Sequence, residues 1–431
     1  MGIIIFFAAV IIAVGLGSKF KINYGVIAFA LVLLIGTFYL GEGASAIIGR
    51  FPVTLFFNLF IVTVFYGFAN ENGALEGIAS RIIYRFRTKG WLMPFVVYGT
   101  TIVVAGMGAG AAATPIIMSA IAFSLAIKFG YHPILASMAV WMGSMIGDSM
   151  PWTSSFASNV GRYIVFFDEG HVTNALTLRV VWYLIIFTAI FAVVYFVLKA
   201  NKVSNVTLEM EAPKPFTEDQ KKTLIITGVV IGLIIVPGFC QMFFPNPVTA
   251  FLKSKLSIQL LTAVGTVVMC LMKLADFNQV LKNRVPWGMI VTICGMTHLM
   301  ALSKDLGVAD FFGAILQERV PAGLIVPALI LITGILTYFV DGQAVTAIVL
   351  PMLPVLVEVS GTTVGAIMLA YLMNVTASFS PFSTGGAMAL SGCPEELRQK
   401  CINIQIYLPW ILLAVSVLVG ATGLLALGTP A

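Results

Sequence analysis

From Val320 to Val357 the chain runs 38 residues with a single charged side chain, Asp341, which stands mid-run beside Gly342 and Gln343. A helix through lipid needs roughly 20 apolar residues, so two full spans and a turn do not fit that length. A hairpin that enters and leaves on one side does fit, with Asp341-Gly342-Gln343 at its tip. Irregular backbone at membrane depth is tolerated only where it is packed in protein or lines a wet cavity.

The run has a counterpart. Between Trp91 and Ile127 another 37 residues carry no charge and are interrupted at Gly106-Met107-Gly108-Ala109-Gly110. Gly110-x-x-x-Thr114 recurs as Gly342-x-x-x-Thr346, 232 residues later. Each run precedes an apolar segment with a polar, proline-containing break. The first break is Gly147-Asp148-Ser149-Met150-Pro151-Trp152-Thr153-Ser154-Ser155; the second is Ser378-Phe379-Ser380-Pro381-Phe382-Ser383-Thr384-Gly385-Gly386. Interrupted helices at matching positions of a repeated chain point to a transporter's binding site.

Composition agrees. The chain is 59% hydrophobic and 10% charged, against about 25% charged in soluble domains, which implies a multi-pass membrane protein. The net charge of +6 then reflects basic loops on one membrane face, and a nucleic-acid partner is not expected. The five cysteines form no C-x-x-C and no His/Cys cluster, so they read as packing residues rather than a disulfide or zinc framework. No H-E-x-x-H, G-x-S-x-G, phosphate loop or dinucleotide fingerprint is present, so no enzyme is expected.

Taken in order, spans are expected over Gly2 to Gly17, Ile22 to Leu40 and Phe51 to Ala69. Met1 to Gly17 lacks a basic flank before its apolar run and a small-residue cleavage site, so it reads as a first span and not a signal peptide. An amphipathic interfacial helix over Asn70 to Gly90 comes next. The first hairpin (91–127), a broken helix (133–167) and a span over Val180 to Leu198 complete a first repeat, 1–198. A polar linker, 199–222, leads to the second repeat, 223–431. Its spans are Thr223 to Phe244, Leu256 to Met272 and Pro286 to Leu302, followed by an amphipathic stretch, Ser303 to Arg319. The second hairpin (320–357), a broken helix (363–390) and a last span from Ile404 to Leu427 follow. The expected fold is an all-α membrane protein of two inverted repeats, each with five transmembrane helices plus one re-entrant hairpin, about 10 spans in all. On that topology 17 of the 24 Lys and Arg residues face one side, which makes it cytoplasmic and puts both termini outside the cytoplasmic membrane.

The two tips and two breaks would offer free backbone amides, which attract an anion without a formal cation. Substrate-binding positions are therefore expected at Gly108, Gly110, Gly342 and Gln343 in the tips. In the breaks they are expected at Ser149, Thr153, Ser154, Ser380, Ser383 and Thr384, unless these hydroxyls only bond their own backbone. Asp148 and Asp341 are acids at membrane depth, each costing at least ~2.5 kcal/mol unless protonated, paired or bound to a cation. They are the expected ion-coupling residues, ligating Na⁺ or carrying a proton, with a structural cap as the alternative. His298 is read as a histidine bonded to a neighbouring helix, and Arg162 as a side chain that snorkels to the outer interface.

Two hairpins, two broken helices and an inverted repeat resemble the ion transporter superfamily, which includes divalent anion/sodium symporters and MatC-type dicarboxylate carriers. The resemblance covers the whole chain in architecture. In motif it is looser, since Gly108-Ala109-Gly110-Ala111 and Asp341-Gly342-Gln343-Ala344 stand where dicarboxylate symporters carry Ser-Asn-Thr. That departure favours the MatC-like side. The resemblance implies a homodimeric secondary transporter of a small organic anion, a malonate- or C4-dicarboxylate-like di- or monocarboxylate. It would be coupled to Na⁺ or H⁺, use an elevator mechanism in the lipid bilayer and need no cofactor beyond Na⁺. The alternatives are a cation/proton antiporter of the same superfamily and a membrane subunit dependent on a binding protein.

Overall fold

In lipid every backbone N–H and C=O must be satisfied within the segment, and the apolar runs accordingly form helices. The computed structural model describes residues 1–203, 211–243, 246–308, 321–339 and 342–430, and among these there is no strand. The helices are α1 (Gly2–Phe20), α2 (Tyr24–Phe38), α3 (Ala44–Gly49), α4 (Val53–Glu71), α5 (Ala74–Arg85), α6 (Met93–Val104), α7 (Gly110–Phe129), α8 (Pro133–Asp148), α9 (Ser154–Tyr163) and α10 (Glu169–Val197). They continue with α11 (Glu218–Phe243), α12 (Pro247–Lys255), α13 (Ile258–Leu271), α14 (Phe277–Gln279), α15 (Trp287–Ala301), α16 (Ile325–Phe339), α17 (Gly342–Val349), α18 (Leu353–Ser360), α19 (Val364–Leu372), α20 (Thr384–Ala389) and α21 (Glu395–Ala421). Six of the described helical stretches are long and apolar enough to cross a membrane.

The element order of residues 93–163 recurs from 325 to 389. Met93 and Ile325 open α6 and α16, Pro133 and Val364 open α8 and α19, and Ser154 and Thr384 open α9 and α20. Packing follows the same pairing. Helix α10 lies against α19, and α21 against α8, so the long helix of each half braces the broken helix of the other. Helices α4 and α13 pack together, as do α2 and α15. The turn 105–109 touches α4, and α17 touches α15.

Some boundaries differ from expectation. Helix α10 begins at Glu169, eleven residues before the expected span, because Asp168 caps it by accepting from the Gly170 amide at 2.8 Å. This places Arg179 inside the helix. The linker ends earlier than 222, since α11 starts at Glu218. Residues 211–217 lie over the amphipathic α5, which buries Ala74, Leu75, Ala79 and Ile83. There Arg81 stacks on the Phe216 ring at 3.4 Å, and Gln220 donates to the Asn72 carbonyl at 2.8 Å. Most of the expected amphipathic stretch Ser303 to Arg319 lies outside the described residues, as does Asp341.

Candidate functional site

The first tip is built by two glycines. Helix α6 runs into a wide turn over Ala105–Ala109, in which Gly108 has φ 93° and Gly110 follows at φ 76°. Side chains other than glycine rarely adopt such angles. At Gly108 space forbids them as well, since an added Cβ would sit 2.0 Å from the Tyr66 ring of α4. One hydrogen bond holds the tip to the first break, and a second ties α4 to the same break. The Trp152 indole donates to the Gly106 carbonyl at 2.7 Å, and the Tyr66 hydroxyl donates to the Trp152 carbonyl at 2.9 Å.

Asp148, the last residue of α8, is only 7% exposed. Its Oδ1 lies 3.9 Å from the point where a side chain on Gly110 would begin, and its Oδ2 accepts from the Ser155 hydroxyl. The carboxylate thus stands between the hairpin tip and the first turn of α9.

The two breaks share one local geometry. Thr153 caps α9 and Ser383 caps α20, with φ/ψ of −90°/161° and −96°/158°. Thr153 Oγ1 contacts the carbonyls of Asp148 (2.6 Å) and Met150 (2.8 Å) and accepts from the Phe156 amide. Ser383 Oγ does the same with the carbonyls of Ser378 and Ser380 and the Gly386 amide. Their hydroxyl protons are spent within the break, so what these residues give a ligand is the shape of the loop. Ser149 likewise donates to the Met145 carbonyl at 2.6 Å, and Ser380 accepts from the Phe382 amide at 3.1 Å. Ser154 is buried and Thr384 exposed. We expect Thr153→Ala to lower the melting temperature, losing a cap worth about 1 kcal/mol, and Thr153→Ser to restore it. An unchanged melt in the alanine variant would remove the capping role.

At the second tip, Gly342 opens α17 and its carbonyl accepts from Thr346 at 2.7 Å; the Thr346 hydroxyl also meets that of Tyr371 at 2.6 Å. The side chain of Gln343 and all of Asp341 lie outside the described residues.

Two residues beyond the sequence expectations border this region. Trp141 of α8, 1% exposed, directs its indole Nε1 at the second break, 2.8 Å from where a Gly385 side chain would start. Gln405 of α21 donates to the Gly386 carbonyl (3.3 Å) and to Ser137 (3.2 Å). Trp141 Nε1 and Gln405 Oε1 have no hydrogen-bond partner among the described residues. Helix α8 therefore ends in the first break and touches the second through Trp141, seven residues back, or roughly 10 Å along its axis. Away from the breaks, Arg179 is buried at 6% exposure. Arg162 is also 6% exposed and does not snorkel: α9 ends inside the protein, where the neighbouring Tyr163 has its ring 6.3 Å from that of Tyr371. His298 bonds the Ile47 carbonyl through Nε2 at 2.9 Å, between the rings of Phe29 and Phe51, which joins α15 to α3.

Residues 1–148 match the family of the dicarboxylate carrier protein MatC N-terminus, and residues 154–428 match the sodium:sulfate symporter transmembrane region. The two matches meet at the first break. The YdaH transporter of Alcanivorax borkumensis, a solved structure, has a similar fold at TM-score 0.62, covering 93% of this chain and 96% of its own, with 13% identity. No curated protein matches the chain. The second of the two families spans well over half of the residues, and with its apolar helices the chain belongs to the sodium:sulfate symporter family, as a multi-pass membrane protein and secondary transporter of anions.

Proposed function

We propose that the chain moves a small organic anion, a mono- or dicarboxylate, across the cytoplasmic membrane, coupled to Na⁺ or H⁺ through Asp148. The observation that carries this reading is the buried Asp148 carboxylate between the Gly110 tip and the Ser155 hydroxyl. A carboxylate, a hydroxyl and backbone carbonyls at a helix interruption are hard oxygen donors of the kind that suits a small cation. The substrate carboxylate is drawn to the α9 amides, whose dipole favours negative charge. No Lys or Arg stands in either break or described tip to compete for it. The Trp141 indole N–H offers a further donor at the second break.

The matched helix order at offsets near 230 supports two inverted halves with re-entrant hairpins, and the Lys/Arg bias supports termini outside. In this reading the hairpins and broken helices move together in an elevator step. The remaining helices form the scaffold of a homodimer. In the second tip, Asp341 serves as a further ion-coupling acid and Gln343 as a substrate-binding side chain.

Proteoliposomes holding the purified chain test the reading with labelled malonate, succinate, citrate and sulfate, each under a Na⁺ gradient, a proton gradient and neither. Uptake of one carboxylate above the gradient-free level is the expected result. Sulfate-only uptake would replace the substrate class. Cation flux with no anion uptake would make the protein an exchanger.

A further inference from the structure

Away from the breaks, the end of α9, the middle of α10 and the end of α19 enclose a second charged region. Arg179 sits there at 6% exposure, ten residues into α10, with its guanidinium carbon 5.8 Å from the centre of the Tyr183 ring one turn on. Its Nε and Nη2 have no hydrogen-bond partner, and it makes no ion pair, among the described residues. The surrounding hydroxyls do not neutralise it. Tyr183 donates to the Leu372 carbonyl at 2.6 Å, and Tyr371 is engaged with Thr346. Tyr163, at the end of α9, which packs on α10, has its ring 6.3 Å from that of Tyr371.

A guanidinium cannot shed its proton in a protein, and a buried charge without an acceptor is among the least favourable arrangements a fold can hold. The in-plane N–H bonds of Nε and Nη2 suit a compact anion. Tyr163 closes α9 nine residues beyond Ser154, roughly 13 Å along the axis. A three- or four-carbon diacid held at the α9 amides does not span that distance.

We propose that Arg179 is the anchor of a second anion site, distinct from the breaks, which takes a halide-sized monovalent anion between α9, α10 and α19. The anion would join the first half's helices to the second half's α19 and stabilise that junction. The inference does not depend on which organic substrate the protein carries.

The test is thermal melting of the full chain in detergent at constant ionic strength, with sodium chloride or bromide replacing sodium methanesulfonate. Wild type should show a saturable rise of about 1–3 °C with either halide. Arg179→Gln should lose this response, while Thr153→Ala, altered only at the break, should keep it. A wild-type melt indifferent to halide would overturn the proposal, even if Arg179→Gln failed to fold. So would a halide response retained in Arg179→Gln. If succinate, but not chloride, stabilised wild type and Arg179→Gln lost that effect, the guanidinium would hold the substrate's own carboxylate and the separate site would fall.

Discussion

Asp148→Asn is expected to abolish gradient-driven accumulation while leaving the protein folded. The amide keeps the shape of the carboxylate and still accepts from Ser155, whose hydroxyl is bonded to Oδ2. Only the charge goes. On the proposed coupling role, with Asp148 ionised and no cation bound, the empty carrier takes one more negative charge across membrane depth than the cation-bound one. That costs at least ~2.5 kcal/mol, roughly 70-fold in the population able to cross. This barrier ties anion movement to the cation. Without the charge the barrier disappears, the carrier equilibrates its substrate, and binding no longer responds to Na⁺ or to pH. Substrate binding measured against Na⁺ at two pH values, in wild type and variant, checks this. A variant that keeps the full wild-type cation dependence would leave Asp148 as a brace between α8 and α9. Ser155→Ala provides a graded comparison, since it removes one oxygen from the same place without touching the charge.

How much of this was legible in the sequence depends on whether local or distant residues decide each feature. Pro151 and Pro381 announce their breaks because a proline cannot continue a helix hydrogen bond, and both breaks fall where the motifs stand. Gly108 and Gly110 announce a turn for the same kind of local reason. Asp148 was legible as an acid in an apolar setting. Arg162 was misplaced, since a long cation near the end of an apolar run usually reaches water. Arg179 is carried by α10, which packs on α19, a helix from the other half of the chain. Trp141 and Gln405 escaped notice altogether, because an indole or a single amide in an apolar helix gives no hint of the break it meets until the halves are packed. The cap hydroxyls show the reverse case. Thr153 and Ser383 were found by position, yet their bonds inside the break could be read only from coordinates.

Gly108→Ala is expected to cost about 2–5 kcal/mol and to reduce transport to a small fraction of wild type, for two separable reasons. A side chain at φ 93° is strained by about 1–2 kcal/mol even in open space. Here space is also closed, since the new Cβ would lie 2.0 Å from Tyr66 Cγ and 2.4 Å from its Cβ, the part of that side chain least able to swing away. Overpacking of this kind adds about 1–3 kcal/mol. Relief must come from shifting either α4 or the tip. The tip is the weaker partner, held by the bond from Trp152 to Gly106 and by the chain from Tyr66 through the Trp152 carbonyl. A displaced tip moves Gly110 away from Asp148, so coupling should suffer beyond what stability alone predicts. Gly99→Ala is the control. It lies one helix segment earlier in α6 with no atom within 4 Å of the new methyl, and a glycine-to-alanine change inside a helix should gain roughly 0.5–1 kcal/mol. Melting temperature and uptake measured side by side decide the matter: equal behaviour of the two variants would mean that the first tip is neither clasped by Tyr66 nor needed for transport.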